Sequence, residues 1–400
     1  MDPSKTKQLE LYLHIPFCKK KCRYCDFLSF PADDATQEAY VDALIKEIRV
    51  RAKEYRDYSV PTVFIGGGTP SVLAPEATAA LMEAAAASFF VERDAEITME
   101  CNPGTLDERK ARIYRSCGIN RISLGLQSVH ETELGMLGRI HTFEEFLASY
   151  DILRKCGFDN INVDLMSGLP GQSLSDWQKS VRKVVSLKPE HISAYGLIVE
   201  PGTPFYEKYG ADELLREQGE SPHFLPTEEA EREMYDWARD YLSSQGYVPY
   251  EISNYARKGK VCRHNIGYWQ RTPYLGLGLG SASLVEEQRF SNISDLKSYL
   301  KACEKKLDMD PRAVIEEESW QQLGRTEQME EYMFLGLRMT KGISRQNFLQ
   351  KFGIALEGVY GEEIRRLCGE GLLRQEEGNL ALTREGISVS NYVMAQFLRM

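Results

Sequence analysis

Cys18, Cys22 and Cys25 stand on one short stretch, HIPFCKKKCRYCDF, in the spacing C-x3-C-x2-C. Thiolates this close can each hold one iron of a cubane [4Fe-4S] cluster, which ordinarily takes four cysteines. With three, one iron stays open to a ligand that is not protein. An open position is what separates a working metal site from a structural one. Zinc is the competing reading. It prefers four ligands, often as two spaced pairs, and no second C-x2-C pair follows.

Other residues able to grip a small charged molecule recur along the chain. Gly66-Gly67-Gly68-Thr69-Pro70 follows an apolar run. Glycines let a backbone approach a ligand and expose its N–H and C=O groups, although such a run is also an ordinary turn. Glu100 in TMECNPGTL, Gln127 in GINRISLGLQS, Arg139 in MLGRIHT and Asp164 in NINVDLMSGLPGQ supply acceptors and a cation. A carboxylate at position 100 can accept from ribose hydroxyls or an ammonium. Asp164 lies within an apolar strand pattern, where a buried carboxylate needs partners. Taken singly, each also reads as structural.

A second kind of chemistry is written into EISNYARKGKVCRHNIGYW, which carries His264, Asn265, Tyr268 and Trp269. A neutral imidazole is a common axial ligand of heme iron. Tyrosine and tryptophan offer flat faces on which a porphyrin can stack. Cys262 is a candidate second soft ligand. The competing reading has His264 hydrogen-bonding across a loop, with both aromatics in the core. His130, His141, His191 and His223 show no metal-like pairing, whereas His14 lies in the strand that feeds the cysteine loop and is a candidate contact of a cluster there.

Strands and helices must position these groups. Apolar runs predict strands at Leu11–Ile15, Val63–Ile65, Ile97–Glu100, Ile122–Gln127, Ile161–Leu165 and Ile192–Leu197. Helical patterns lie between them, from about Glu38 to Glu54 with Val41, Leu44, Ile45 and Ile48 on one face, and from about Asp176 to Leu187. A third follows Thr105 as N-cap, with Glu108 completing a capping box and Gly118 as the stop. Six βα units predict a parallel sheet covered by helices. The polar and glycine residues gather at strand ends, as in a barrel whose function sits on the C-terminal rim. The expected fold is therefore α/β, a partial (β/α)6 TIM-like barrel over residues 1–205. A helical extension with the HN-x-x-YW segment is expected over 206–325. A winged-helix-like domain is expected over 326–400, where GLLRQEEGNLALT has a hairpin pattern.

The chain has 400 residues, a formal net charge of -10 and 42% hydrophobic residues, enough for large cores. That charge argues against nucleic acid as a partner. The C-terminal stretch from 326 carries 9 basic against 10 acidic residues, so no basic footprint for DNA exists there. No apolar run is long enough to span a bilayer, and the start, MDPSKTKQLE, is unlike a signal peptide. Nine cysteines, scattered apart from the loop, suit a reducing cytoplasm.

C-x3-C-x2-C followed by an aromatic is similar to the signature of the radical S-adenosylmethionine enzymes. The resemblance implies that the open iron binds the amino and carboxylate groups of S-adenosylmethionine. One electron then splits the sulfonium to give a 5′-deoxyadenosyl radical. HIPFC, GGGTP, E-x-NP, SLGLQS, LGR-x-H, VDL-x-GLPGQ and the C-terminal module together resemble the oxygen-independent coproporphyrinogen III oxidase branch over nearly the whole chain. Carried over by position, the resemblance implies that Cys18, Cys22 and Cys25 ligate the cluster. It implies that Tyr12, Gly67 and Glu100 contact the cofactor on it, and that Tyr24, Gly68, Thr69, Gln127, Arg139 and Asp164 match a second S-adenosylmethionine site.

Two departures matter. Phe27 stands where the oxidase has a fourth cysteine, and the first cluster cysteine is already residue 18. Both match the heme-chaperone relatives of the oxidase, which also carry HN-x-x-YW. That likeness implies heme contact through His264, Asn265, Tyr268 and Trp269. It also implies transient delivery of heme to membrane respiratory proteins, and an electron donor such as a flavodoxin or ferredoxin. The alternative is the oxidase reaction itself, a radical decarboxylation of two propionates to vinyl groups.

Overall fold

Six parallel strands follow one another in sheet order as in sequence: β2 (Glu10–Ile15), β3 (Tyr58–Gly67), β4 (Phe90–Cys101), β5 (Arg121–Gln127), β6 (Ile161–Ser167) and β7 (His191–Gly196). A two-residue β1 (Lys7–Gln8) pairs with β3. The connections run through α1 (Asp34–Arg51), α2 (Pro75–Ser88), α3 (Glu108–Ser116), α4 (Glu131–Leu137), α5 (Phe143–Lys155) and α6 (Leu174–Ser186). The computed structural model describes residues 7–399 of the chain.

The strands divide their side chains by parity, because successive residues point to opposite faces. In β5, Ile122, Leu124 and Leu126 are fully buried and join the core shared with the helices. Arg121, Ser123, Gly125 and Gln127 face the enclosed cavity. Burying each of those aliphatic side chains is worth about 1.5–3 kcal/mol. The apolar parity therefore holds the sheet to its helices and leaves the other parity free for polar groups.

The helices begin where their caps dictate. Asp33 caps α1, so that helix starts four residues before Glu38. The cap of α3 is Asp107, which accepts from the Lys110 amide, and not Thr105. The Thr105 hydroxyl donates instead to the Asn102 carbonyl at 2.6 Å. Ser173 and Asp176 form a capping box on α6.

The barrel is open. Strand β2 does not meet β7; each has another neighbour. After α7 (Pro204–Glu217), α8 (Glu228–Ser244) and β8 (Val248–Pro249), β9 (Asn254–Ala256) pairs antiparallel with β7, and β8 pairs antiparallel with β9 at the edge. Next come α9 (Arg263–Trp269) and β10 (Tyr274–Leu277), which lies parallel to β2. Then β11 (Ala282–Val285), β12 (Gln288–Ser291), α10 (Leu296–Lys305) and β13 (Gln321–Gln322) complete that edge. Residues 206–325, expected as a helical extension, thus lengthen the sheet at both ends. Their strands are two to four residues long, too short for a clear alternation in the sequence.

Beyond α11 (Arg325–Gly336), a three-stranded sheet in the order β14 (Ile343–Ser344), β16 (Asn379–Leu382), β15 (Leu373–Glu376) packs with α12 (Arg345–Phe352) and α13 (Leu356–Gly369) around a core of its own. This is the winged-helix-like arrangement. No helix among the described residues is long and apolar enough to cross a membrane.

Candidate cluster and ligand site

Inside the open barrel lies a cavity of about 410 Å³. The three loop cysteines form one wall of its mouth. Gly67, Gly68, Thr69, Glu100 and Gln127 come from the ends of the following strands, Asp164 from the middle of β6, Arg139 from the loop after α4, and Tyr24 from the cysteine loop itself. The structure therefore brings nearly all of the expected cofactor residues to one space. Tyr12 is the exception: its ring stacks on Phe64, which does line the cavity, and its hydroxyl lies 3.0 Å from His14 Nδ1.

A run of side-chain hydrogen bonds ties the cysteine loop to the neighbouring strands, beside backbone bonds such as that from the Arg23 amide to the Leu137 carbonyl at 3.0 Å. Cys18 Sγ lies 3.4 Å from the Thr69 hydroxyl. That oxygen accepts from Asn102 Nδ2 at 2.8 Å, and Asn102 Oδ1 accepts from Arg139 Nη2 at 2.8 Å. The same nitrogen donates to the Gly125 carbonyl at 2.5 Å, and Arg139 Nη1 donates to Cys22 Sγ at 3.8 Å. Two of the three thiols are thus linked through the ends of β4 and β5. Burial pushes the Cys25 thiol above its ordinary pKa.

These residues fit a cube better than one ion. No trio of metal-binding side chains among the described residues converges on a single-ion position. A [4Fe-4S] cluster asks for no such point, because each thiolate binds its own iron. Three half-buried thiols along one cavity wall, with acceptor and donor groups opposite, are the donor set such a cluster and its fourth-site ligand need.

The glycines of GGGTP are fixed by space as well as by any ligand. A Cβ at Gly67 would lie 2.4 Å from the His14 ring, and its φ of +110° is in the region that favours glycine. A Cβ at Gly68 would lie 2.7 Å from the Phe17 carbonyl. Gly68 and Thr69 donate to the Ile15 and Phe17 carbonyls at 2.8 and 2.7 Å, so the loop zips along the entry to the cysteines.

Glu100 and Asp164 put two half-buried carboxyls in the cavity wall. Glu100 accepts from the Gly67 amide at 3.0 Å. Burial, then the neighbouring charge of Asp164, push its pKa up to about 7. Burial also raises Asp164, against hydrogen bonds from Asn162 at 2.7 Å and Ser123 at 3.0 Å that favour its charge. Gln127 ends β5 with a φ of 71° at a break in the β5–β6 register, a conformation costly for a residue with a side chain. The strain lets the strand end on a side chain that faces the cavity.

His14 does not reach the cavity. Its Nε2 is taken by the Leu28 carbonyl at 2.9 Å. The HN-x-x-YW expectation also needs correction as a set of free heme contacts. His264 is 1% exposed. Its Nδ1 lies 2.7 Å from the Thr62 hydroxyl and its Nε2 3.1 Å from the Tyr268 hydroxyl, so neither nitrogen is open to an iron in this conformation. Burial, and next the charge of Arg121, lower its pKa to about 3 and keep it neutral. The Trp269 ring is covered by the Arg338 guanidinium at 4.4 Å. Cys262 is fully buried and contacts Glu96 at 3.5 Å. Of the four residues, Asn265 alone lines the cavity. The cause is α9: this helix packs on β3, where His264 meets Thr62, and Gly267 leaves room for the Glu10 carboxylate, so His264 turns inward.

Sequence reasoning missed Arg121, Asn102, Ser123, Asn162 and Tyr195, all on the cavity wall. The signal was present as alternation. In RISLGLQ and NVDLM every second residue is polar or glycine until Met166, the interior parity of a strand whose other face is apolar.

Comparison with known proteins gives the family. The Radical SAM superfamily profile matches residues 12–184 and the HemN C-terminal domain profile residues 323–389. The heme chaperone HemW of Bacillus subtilis is 34% identical over 97% of this chain and 98% of its own. That of Lactococcus lactis is 36% identical over 97% and 96%. The crystal structure of Escherichia coli coproporphyrinogen III oxidase (HemN), a radical SAM enzyme, covers 98% of this chain and 90% of its own with a TM-score of 0.80 at 23% identity, a likeness of fold. At 34% and 36% identity over 97% of its length, the chain belongs to the HemW family of the radical SAM superfamily.

Proposed function

We propose that this protein is a heme chaperone of the radical SAM type. It holds a [4Fe-4S] cluster on Cys18, Cys22 and Cys25, binds S-adenosylmethionine, takes up heme and passes it to membrane respiratory proteins. A small electron carrier such as a flavodoxin or ferredoxin reduces the cluster. The observation that carries the reading is the single cavity shared by the three thiols and by Gly67, Glu100, Gln127, Arg139 and Asp164.

When bound, the cluster supplies an open iron and one electron to a sulfonium nucleotide. The chain's own residues do the rest. Arg139 and Thr69 keep Cys22 and Cys18 in register through Asn102. Glu100, once ionised, accepts from an ammonium or from ribose hydroxyls. Gln127 and Asp164 offer further acceptors, and Tyr24 and Phe64 exclude water from that side. Heme meets Asn265 first. Ligation by His264 requires that its bond to Tyr268 be given up.

Phe27 in the fourth-cysteine position, 62% exposed at the cavity mouth, favours the chaperone over the decarboxylase. The test is a heme titration of anaerobically reconstituted protein, followed by an assay with coproporphyrinogen III, dithionite and S-adenosylmethionine. The reading expects about one heme per chain and no protoporphyrinogen IX. Failure to bind heme, or steady product formation, refutes it.

A further inference from the structure

Arg121 is a buried cation that no group in the protein has claimed. It is 2% exposed and lines the cavity. None of the hydrogen bonds or ion pairs among the described residues uses its guanidinium, and its Nε is enclosed without a partner. A guanidinium carries five N–H donors and never loses its charge. Leaving such a group unpaired in a protein interior is costly, so an arrangement of this kind points to a partner outside the chain.

The surroundings define that partner's chemistry. Only Lys20, Arg121 and Arg139 bring positive charge to the cavity wall. Lys20 is exposed at the mouth. Arg139 is committed to Asn102, Gly125 and Cys22. Among the described residues, Arg121 is therefore the free cation of the cavity interior. Burial opposes its charge, and the fields of Cys262, Glu96, Tyr250 and Asp164 favour it. The Cys262 thiol and Tyr250 phenol are themselves pushed up by burial and are neutral at neutral pH. That leaves Glu96 and Asp164, and neither reaches ion-pair distance. Glu96 accepts instead from the Arg263 and His264 amides at 3.0 and 3.2 Å. Asp164 is held by Ser123 and Asn162. An incoming anion meets Glu100 and Asp164 in the same wall, so only a group that pairs directly with Arg121 overcomes their repulsion. A planar fork at the first residue of β5, below the rim, suits a carboxylate bound through two parallel hydrogen bonds.

We propose that Arg121 is the carboxylate-binding subsite of the cavity, anchoring the acid group of the molecule that fills it. This rests on the reading of the cavity as the ligand site. Two sources share the chemistry: the methionyl carboxylate of S-adenosylmethionine and a propionate of a tetrapyrrole.

The experiment measures binding to anaerobically reconstituted wild type, Arg121→Met and Arg121→Lys. Two pairs of probes are used, S-adenosylmethionine against its decarboxylated form, and heme against heme dimethyl ester. In wild type, at least one pair differs in Kd by tenfold or more. In Arg121→Met, that ratio shrinks by at least tenfold, while the affinity of the decarboxylated or esterified probe is little changed. Arg121→Lys, which keeps the charge and loses the fork, falls between them and serves alone if Arg121→Met does not fold. The responsive pair names the source. A ratio unchanged by either substitution, or wild type that discriminates within neither pair, overturns the proposal. Absence of heme binding altogether sinks the chaperone reading, and the S-adenosylmethionine pair still decides Arg121.

Discussion

Arg139 reaches across from the loop after α4 to Cys22, with Nη1 3.8 Å from the sulfur. Its other terminal nitrogen bonds Asn102 and the Gly125 carbonyl, so one side chain fastens the cysteine loop to two strand ends. Arg139→Lys keeps a charge and cannot make this three-way contact. The expected outcome is a cluster that still assembles and is lost several times faster to a chelator, read from the decay of its visible absorbance. Equal lifetimes would show that the contact does not hold the loop.

Gly67 has no room for a side chain. Gly67→Ala places Cβ against the His14 ring at a φ of +110°. A loss of roughly 2–3 kcal/mol is expected from the clash and the backbone strain together. Chemical denaturation of the cluster-free protein measures it. The same denaturation of Gly171→Ala, at φ +72° with open space around the added methyl, isolates the strain part and should cost less.

Glu100 sets a pH dependence. Its folded pKa, about 7, lies above the ordinary carboxyl value of 4.5. The folded state therefore holds a proton that the unfolded state has lost, and stability falls as pH rises from about 4.5 to 7. A cation bound by Glu100 needs the ionised form. S-adenosylmethionine binding should therefore tighten with pH by up to roughly tenfold per unit below 7 and level off above it. Glu100→Gln should flatten that profile; an unchanged slope would remove Glu100 from the binding site.

His264 and Tyr268 divide two roles. His264→Ala leaves the Thr62 and Tyr268 hydroxyls without their partner and should cost about 1–3 kcal/mol of stability. Tyr268→Phe keeps the ring and frees Nε2. Stopped-flow mixing with heme should therefore show faster formation of the histidine-ligated spectrum in Tyr268→Phe than in wild type, and none of it in His264→Ala. An identical rate in Tyr268→Phe would mean that this hydrogen bond does not gate ligation.

Much of the site was legible because a parallel barrel delivers it in order. The three cysteines, GGGTP, Glu100 and Gln127 each follow or lie at the end of a strand, Asp164 faces inward from the middle of β6, and parallel strands carry such residues to one space. Arg121 escaped notice because a charge at the first residue of a strand looks like a flank. Only the parity of RISLGLQ sets it inside. The inward turn of His264 has a tertiary reason. Whether a short helix turns its histidine outward depends on what it packs against, here Thr62 on β3 and the Glu10 carboxylate, about 200 and 250 residues earlier in the chain. The short edge strands on both sides of the barrel were hidden likewise, since strands of two to four residues borrow their conformation from the neighbour they pair with.

The proposed function stands on a cube held by three thiols, with one open iron. Anaerobic reconstitution, iron and sulfide analysis, and electron spin resonance of the reduced protein with and without S-adenosylmethionine test it in wild type and in each of Cys18→Ala, Cys22→Ala and Cys25→Ala. The account predicts about four irons and four sulfides per wild-type chain, a spectrum that changes when S-adenosylmethionine is added, and loss of the cluster in every alanine variant. A full cluster in any one of the three variants, or a wild-type spectrum indifferent to S-adenosylmethionine, would contradict it.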